Sequence, residues 1–393
     1  MSAHPVNDGI HLTDGAFYAA DPHAHFTWMR EHAPVYWDEA GAVWGITRYD
    51  DVLAISRDPE TWRNSGGIRP DNPAMPYMID MDDPAHRKRR ALVNKGFTPR
   101  RVQEREARIR AVSVELLERA KARGRFDFVH DVAAWLPLIV IGDMLGVDPA
   151  DHTRLLAWSE AMILGTGATT IERIDGAARA FDEYVAYQRR VLADRRAHPR
   201  DDLVSVLVHA EVDGERLDDD ELLMETLLIL IGGDETTRHV LSGGIHQLLL
   251  HPGARAALTR DPTAIPTAVE EMLRWVSPIQ NMARTAARDV DLRGQRIRAG
   301  QKVILLYPSA NRDAAVFPDP FRFDVARTPN DHLAFGSGAH FCLGANLARL
   351  ELRVLLEEAL RRLPGLELAS SDPPPLRASN FISGLESLPV ECR

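Results

Sequence analysis

Cysteine is nearly missing from this chain: its 393 residues include two, Cys342 and Cys392. That excludes a disulfide framework and suits a reducing compartment such as the cytosol. Long hydrophobic runs are missing too. The longest apolar stretches, such as Leu227-Leu228-Ile229-Leu230-Ile231, fall far short of the ~18–20 residues needed to cross a bilayer, so no transmembrane segment is expected. The first nine residues lack both a basic region and an apolar one, so no secretory leader is read there. Positive charge is not in excess; the formal net charge of −10 argues against a nucleic-acid partner. What remains is ordinary globular usage, with 45% hydrophobic residues. There are no repeats, low-complexity segments or obvious linkers, so one domain over 1–393 is expected.

The local patterns predict a mainly α protein with a minor β-rich part. β-prone patches fall at about 34–60 (Val35-Tyr36-Trp37, Val43-Trp44-Gly45-Ile46-Thr47) and again at about 285–310. Helical patterning covers about 86–275 and 344–363, with breaks near Gly124, 146–149, 165–167, His198-Pro199 and Asp213-Gly214. Asp213-Gly214 suits a tight turn. Asp218, Asp219 and Asp220 stand where the dipole of a long helix favours acids. Residues 62–85 hold Gly66, Gly67, Pro70, Pro73, Pro76 and Pro84, which predicts a long irregular loop. Its Ile68, Met75, Met78 and Ile79 suit a surface that adapts to an apolar ligand, or one packed on the core.

Four clusters carry chemistry. Cys342 lies in Phe335-Gly336-Ser337-Gly338-Ala339-His340-Phe341-Cys342-Leu343-Gly344, just before a helix-forming run. Free backbone N–H groups and the positive helix end favour a thiolate there, and the glycines let backbone approach a bound group closely. The long helical stretch contains Gly232-Gly233-Asp234-Glu235-Thr236-Thr237, an acid–alcohol pair beside two glycines that are unfavourable inside a helix. Glu271 and Arg274 are three apart on one helix face and can pair. Residues 86–110 hold ten lysines and arginines against two acids, an asymmetry that suits steering of an acidic partner.

Phe-x-x-Gly-x-x-x-Cys-x-Gly closely resembles the haem-binding signature of the cytochrome P450 superfamily, and the other clusters follow in that family's order. The resemblance implies the P450 fold, a triangular helical domain with a minor β-rich part, and haem b ligated by the Cys342 thiolate. It makes Glu235 the acid and Thr236 the distal alcohol of a proton relay, with Asp234 beside them and Gly233 nearest the oxygen groove. Asp83-Pro84-Ala85-His86-Arg87-Lys88-Arg89-Arg90 resembles the family's helix start that offers His86 and Arg90 to a haem propionate. Arg284 and His340 complete those cations, while Phe335, Gly336 and Gly344 cradle the ring. Glu271 and Arg274 are implied to form a structural network closed by a later arginine, with Arg322 in Pro320-Phe321-Arg322-Phe323 the first candidate and Arg327 the second.

A narrower resemblance lies in Gly66-Gly67-Ile68-Arg69-Pro70-Asp71, in Met78 to His86, in Leu228 to His239 and in Phe381-Ile382-Ser383-Gly384-Leu385-Glu386-Ser387. These segments look like actinobacterial sterol side-chain hydroxylases. The resemblance implies a monooxygenase using O2 and two electrons on the terminal side-chain carbon of cholesterol or cholest-4-en-3-one. Electrons would come from NAD(P)H through a ferredoxin reductase and a ferredoxin docked near residues 86–110. By family position, Ile68, Met75, Met78, Ile79, Ile229, Gly233, Ile279, Met282 and Ile382 would line the substrate funnel. A macrolide, terpene or fatty-acid hydroxylase stays open, as does a non-catalytic haem sensor or carrier. Residues 161–180, where lid helices are expected, match least.

Overall fold

The structure, a computed structural model, describes residues 5–165 and 171–392. Its axis is the 32-residue helix Asp219–Leu250, about 48 Å long at 1.5 Å per residue. The helix starts on a capping box: Glu221 N–H donates to Asp218 Oδ1 at 2.8 Å, and Asp218 N–H donates to Glu221 Oε2 at 3.0 Å. Pro252 follows its end at His251. Against this central helix pack Trp135–Met144, Ile265–Val276 and Ala345–Arg362. Trp135–Met144 is apolar nearly all round and is correspondingly buried, with Leu136, Leu138, Val140, Ile141 and Met144 closed off from solvent. His152–Gly165 and Ile171–Ala197 pack on one another at one side.

A five-stranded sheet forms the second part, in the spatial order Val35–Asp38, Val43–Ile46, Lys302–Leu306, Asn281–Ala286, Trp62–Arg63. Its one parallel pairing, between Val43–Ile46 and Lys302–Leu306, carries the continuous apolar run Val303-Ile304-Leu305-Leu306, all fully buried. Met282 and Arg284, two apart on Asn281–Ala286, share a face and both reach the cavity described below. Asp213 and Gly214 have φ of 53° and 80°, the left-handed pair of a tight turn, with Val212 and Glu215 bridged across it.

The β-rich expectation at 34–60 holds only for its first half. Tyr49–Arg57 is a helix because Tyr49, Val52 and Ile55 bury one face at helical spacing. The second β-rich part begins earlier than expected, at Asn281. Two short helices, Gly15–Ala19 and His23–His32, were not legible in the sequence. The break expected at 165–167 begins where His152–Gly165 ends, and residues 166–170 lie outside the described residues.

The Glu271 network corrects one assignment. Arg274 donates Nε and Nη2 to the two Glu271 oxygens, each at 2.7 Å, and Nη1 to the carbonyls of Asn311 and Pro320. The third member is Arg327, not Arg322. Arg327 Nε reaches Glu271 Oε2 at 3.1 Å, and its other nitrogens collect the carbonyls of Pro318, Asp319 and Arg322. The segment thus wraps around the Arg327 guanidinium. The Arg322 side chain points to solvent, 3.8 Å from Asp324, and contributes only its backbone oxygen. Breaking a buried pair leaves an uncompensated charge. Arg327→Ala is therefore expected to lower the unfolding free energy by about 3–5 kcal/mol in urea melts. Arg322→Ala should stay within about 0.5 kcal/mol; equal losses would return the role to Arg322.

Candidate active site

A cavity of about 390 Å³ opens between the central helix, the loop before Ala345–Arg362, the 66–82 loop and the sheet. Its floor is the cysteine loop. Cys342 N–H donates to Phe335 O at 2.9 Å, closing the loop on itself. Gly336 and Gly338 take φ of 67° and 74°, and a Cβ on Gly338 would lie 2.2 Å from Ser56 O, so only glycine fits there. A Cβ on Gly344 would meet nothing within 4 Å, which leaves that side of the floor open to a bound group. Burial pushes the Cys342 thiol up; the Gly344 and Ala345 N–H groups, Arg90 and Arg349 pull the other way. A coordinated cation decides such a balance, because a ligating thiol is deprotonated outright.

The loop is gripped by the neighbouring acid of the Glu271 pair. Glu270 accepts Arg349 Nε at 2.7 Å and Nη2 at 2.8 Å, and it faces His332 Nε2 at 3.2 Å. Arg349 in turn lies 4.6 Å over the Phe335 ring, which lines the cavity. Burial would raise the Glu270 carboxyl, but Arg349 and His332 hold it down at about 2.

Four basic side chains from three separate segments meet at this floor. His86 stacks on His340 with ring centroids 3.9 Å apart, and Arg90 donates to Phe341 O. Arg284, 5% exposed, donates to Ala283 O at 2.8 Å. Among the described residues no carboxylate pairs with Arg90 or Arg284, and the buried His86 Nε2 has no hydrogen-bond partner. Burial and the neighbouring His86, Arg284 and Arg90 push the His340 imidazole down to about 2. Unpaired cations, an orphaned ring nitrogen and a thiol around one open face fit a flat metal-centred group with acidic substituents at its edge. Haem fits these residues.

The central helix brings Gly232, Gly233 and Thr236 to the cavity. Thr236 Oγ1 donates to Gly232 O at 2.8 Å. A Cβ on Gly232 would meet nothing within 4 Å, whereas one on Gly233 would lie 2.7 Å from Ile141 Cδ1. Gly232, rather than Gly233, is therefore the glycine that keeps the groove open, and Gly233 is needed for helix packing. The two acids are buried and do not line the cavity. Glu235 meets Arg377 at 2.5 Å, Arg238 at 3.0 Å and His239 at 3.3 Å. Burial opposes its charge, but His239, Arg238 and Arg377 outweigh that and hold its carboxyl well below the usual range. Burial and the negative Glu235 push Asp234 well above it.

All nine apolar-funnel positions line this one cavity: Ile68, Met75, Met78 and Ile79 from the loop, Ile229 and Gly233 from the central helix, Ile279 and Met282 beside the sheet, and Ile382 from the C-terminal loop. Ile279 and Ile382 are bridged to each other. Sequence reasoning missed the acids that hold the loop. Asp80 accepts the N–H groups of Ile68 and Met75, each at 2.8 Å. Glu225, from the central helix, accepts Met78 N–H at 2.8 Å and Arg89 Nη1 at 3.4 Å. A buried glutamate four residues before Ile229 reads as core-facing helix in a sequence, so nothing marked it. The basic run at 86–110 is also less free than its count suggests. Lys88, Arg89, Arg100, Arg101, Arg108 and Arg110 each pair with a carboxylate.

Residues 156–389 match the family described as cytochrome P450. The chain belongs to that family. It is a haem-thiolate monooxygenase. It is 53% identical to a Mycobacterium tuberculosis protein named steroid C26-monooxygenase, over 97% of this chain and 96% of that one. It is 39% identical to a Mycobacterium bovis methyl-branched lipid omega-hydroxylase, over 98% and 95% of the two chains. A Bacillus megaterium P450 solved in complex with testosterone superposes with a TM-score of 0.87 at 34% identity, covering 95% of this chain and 99% of that one. No helix among the described residues of this P450 is long and apolar enough to cross a membrane.

Two expectations follow. Replacing either helical glycine gains about 1 kcal/mol of helix propensity, but only Gly233→Ala also overpacks Ile141. Gly233→Ala should fall below Gly232→Ala by roughly 1–3 kcal/mol in thermal unfolding, and the reverse order would reinstate Gly233 as the open glycine. Burial pushes the Glu225 carboxyl up to about 7 from 4.5, against Met78 N–H and Arg89. Folding thus favours its protonated form, so its contribution is full below the unfolded pKa and is lost as pH climbs through about 7. The stability advantage of wild type over Glu225→Gln should shrink by about 3 kcal/mol across that window. A pH-independent gap would show that Glu225 does not titrate there.

Proposed function

We propose that this P450 hydroxylates the terminal side-chain carbon of a sterol such as cholesterol or cholest-4-en-3-one. The observation that carries the reading is 53% identity, over 97% of the chain, to a steroid C26-monooxygenase. The shape of the site supports it. An apolar wall of isoleucines and methionines leads to the Cys342 loop, so a hydrocarbon enters end-on with its tip over the floor. The methyl-branched lipid omega-hydroxylase at 39% identity supports a second reading, oxidation of a branched acyl chain in the same funnel.

Bound haem supplies O2 activation, with two electrons, and insertion of one oxygen atom into an unactivated C–H bond. The chain supplies the setting. Cys342 Sγ would ligate the iron, and His86, Arg90, Arg284 and His340 would hold the propionates. Phe335 and Gly344 would pack against the ring, and Ile68, Met78, Ile229 and Ile382 would exclude water and aim the substrate. Thr236, tied to Gly232 O, holds a proton at Oγ1 beside the oxygen groove. Glu235, next to Thr236 in sequence, is held outside that groove by Arg238 and Arg377. Electrons are assigned to NAD(P)H through a ferredoxin reductase and a ferredoxin, in the cytosol. The docking face is next to Ala85–Asn94, where Arg87 is exposed and, among the described residues, has no carboxylate partner.

The test is a spectral titration of the ferric enzyme with cholest-4-en-3-one and, separately, a methyl-branched fatty acid, followed by product analysis. A saturable high-spin shift with the sterol and oxidation at the terminal side-chain carbon is the expected result. A shift with the branched acid alone would move the assignment to the second reading.

A further inference from the structure

One cationic side chain on the cavity wall has no part in holding haem or moving protons. Arg69, 6% exposed, sits in the 66–82 loop and lines the cavity. Its Nη2 donates to Asp71 Oδ1 at 3.2 Å and to Asn380 Oδ1, and its guanidinium lies 4.2 Å over the Phe381 ring. Asn380 is itself fixed, donating Nδ2 to Thr13 O at 2.7 Å and to Asp71 Oδ2 at 2.9 Å. The guanidinium is therefore preset by a rigid surround. Among the described residues its Nε and Nη1 have no hydrogen-bond partner. Burial draws its pKa down, with Asp71 opposing. Buried donors are rarely left unfilled in a finished site.

Its position separates it from the cofactor-holding cations. The Arg69 guanidinium touches Asp71, Asn380 and Phe381. The floor cations touch other groups: Arg90 the Phe341 carbonyl, Arg284 the Ala283 carbonyl, and His86 the His340 ring. Arg69 shares none of these contacts and lines the same cavity from the 66–82 loop. Its charge is already balanced by Asp71. A second carboxylate would leave excess negative charge in a buried place. The open donors suit a neutral acceptor: a ketone or hydroxyl oxygen.

We propose that Arg69 is a specificity residue whose unfilled N–H groups take the oxygen at the ring end of the sterol, the end remote from the hydroxylated carbon. The inference rests on the sterol reading and deepens it. A ligand threaded tail-first toward Cys342 leaves its ring oxygen in the outer part of the funnel. There an unmet donor discriminates against a ligand that lacks an acceptor.

The test compares ligands that differ only in that oxygen, using the ferric holoenzyme and its spin-state shift. Cholest-4-en-3-one should bind wild type about ten-fold more tightly than cholest-4-ene. Arg69→Met should bind both as weakly as wild type binds the hydrocarbon, with haem content unchanged. Equal binding of the two ligands by wild type would overturn the inference while leaving the sterol reading intact, and that comparison needs no substitution. A preference that survives in Arg69→Met would also overturn it. Loss of haem from the variant would place Arg69 with the propionate-binding cations instead. Absence of any shift with either sterol would remove the sterol reading and this inference together.

Discussion

A hollow beside a packed core forfeits the dispersion contacts that hold the rest of the interior together, so its walls must be held apart by something directional. In this chain buried carboxylates do it. Glu271 fixes Arg274 and Arg327, and through them the carbonyls of the 311–322 segment that leads into the cysteine loop. Glu270, one residue earlier, points the other way and fixes Arg349 and His332. On the opposite wall Asp80 and Glu225 hold the N–H groups of Ile68, Met75 and Met78. An apolar wall alone would collapse inward; a hydrogen-bonded one has preferred positions for its backbone. The cavity stays open because its lining is apolar while its supports are not.

The central helix shows how one turn separates functions. Successive residues rotate about 100°, so Gly232 and Thr236, four apart, share the cavity face while Asp234 and Glu235 turn away from it. Glu235 then spends its charge on Arg238, Arg377 and His239, tying the helix to the C-terminal segment. The acid and the alcohol are neighbours in sequence and occupy different environments, one ionic and closed, the other facing the groove.

Much of this was legible beforehand. The cysteine loop, the glycine–acid–alcohol run and the four basic residues of the cavity floor carry local signatures, and the nine funnel positions meet in one cavity. What escaped was long-range choice among equals. Arg322 and Arg327 are both arginines just past Pro318, and nothing local tells which one turns inward; the enclosing carbonyls of Pro318 and Asp319 decide it. Gly232 and Gly233 are likewise indistinguishable until Ile141 of another helix is placed against one of them. The basic run at 86–110 is partly neutralised by acids as far away in sequence as Asp143, Asp201, Glu215 and Glu357, which its own count of charges could not show.

The arginines that line the cavity differ in their partners, a difference that matches a molecule with one polar terminus. At the floor, Arg90 and Arg284 have no carboxylate within ion-pair distance among the described residues, a surplus suited to a dianionic group. At Arg69 the charge is balanced by Asp71 and only hydrogen-bonding capacity is left over. Between them the wall offers isoleucine and methionine. The same residue type thus does two jobs set by its partners: unpaired, arginine recognises an anion; paired, it recognises a neutral oxygen. A fatty acid entering tail-first would bring a second carboxylate beside Asp71, whereas a sterol ketone would bring an acceptor and no charge. Electrostatics, independent of kinship, therefore favours a neutral polar end on the substrate.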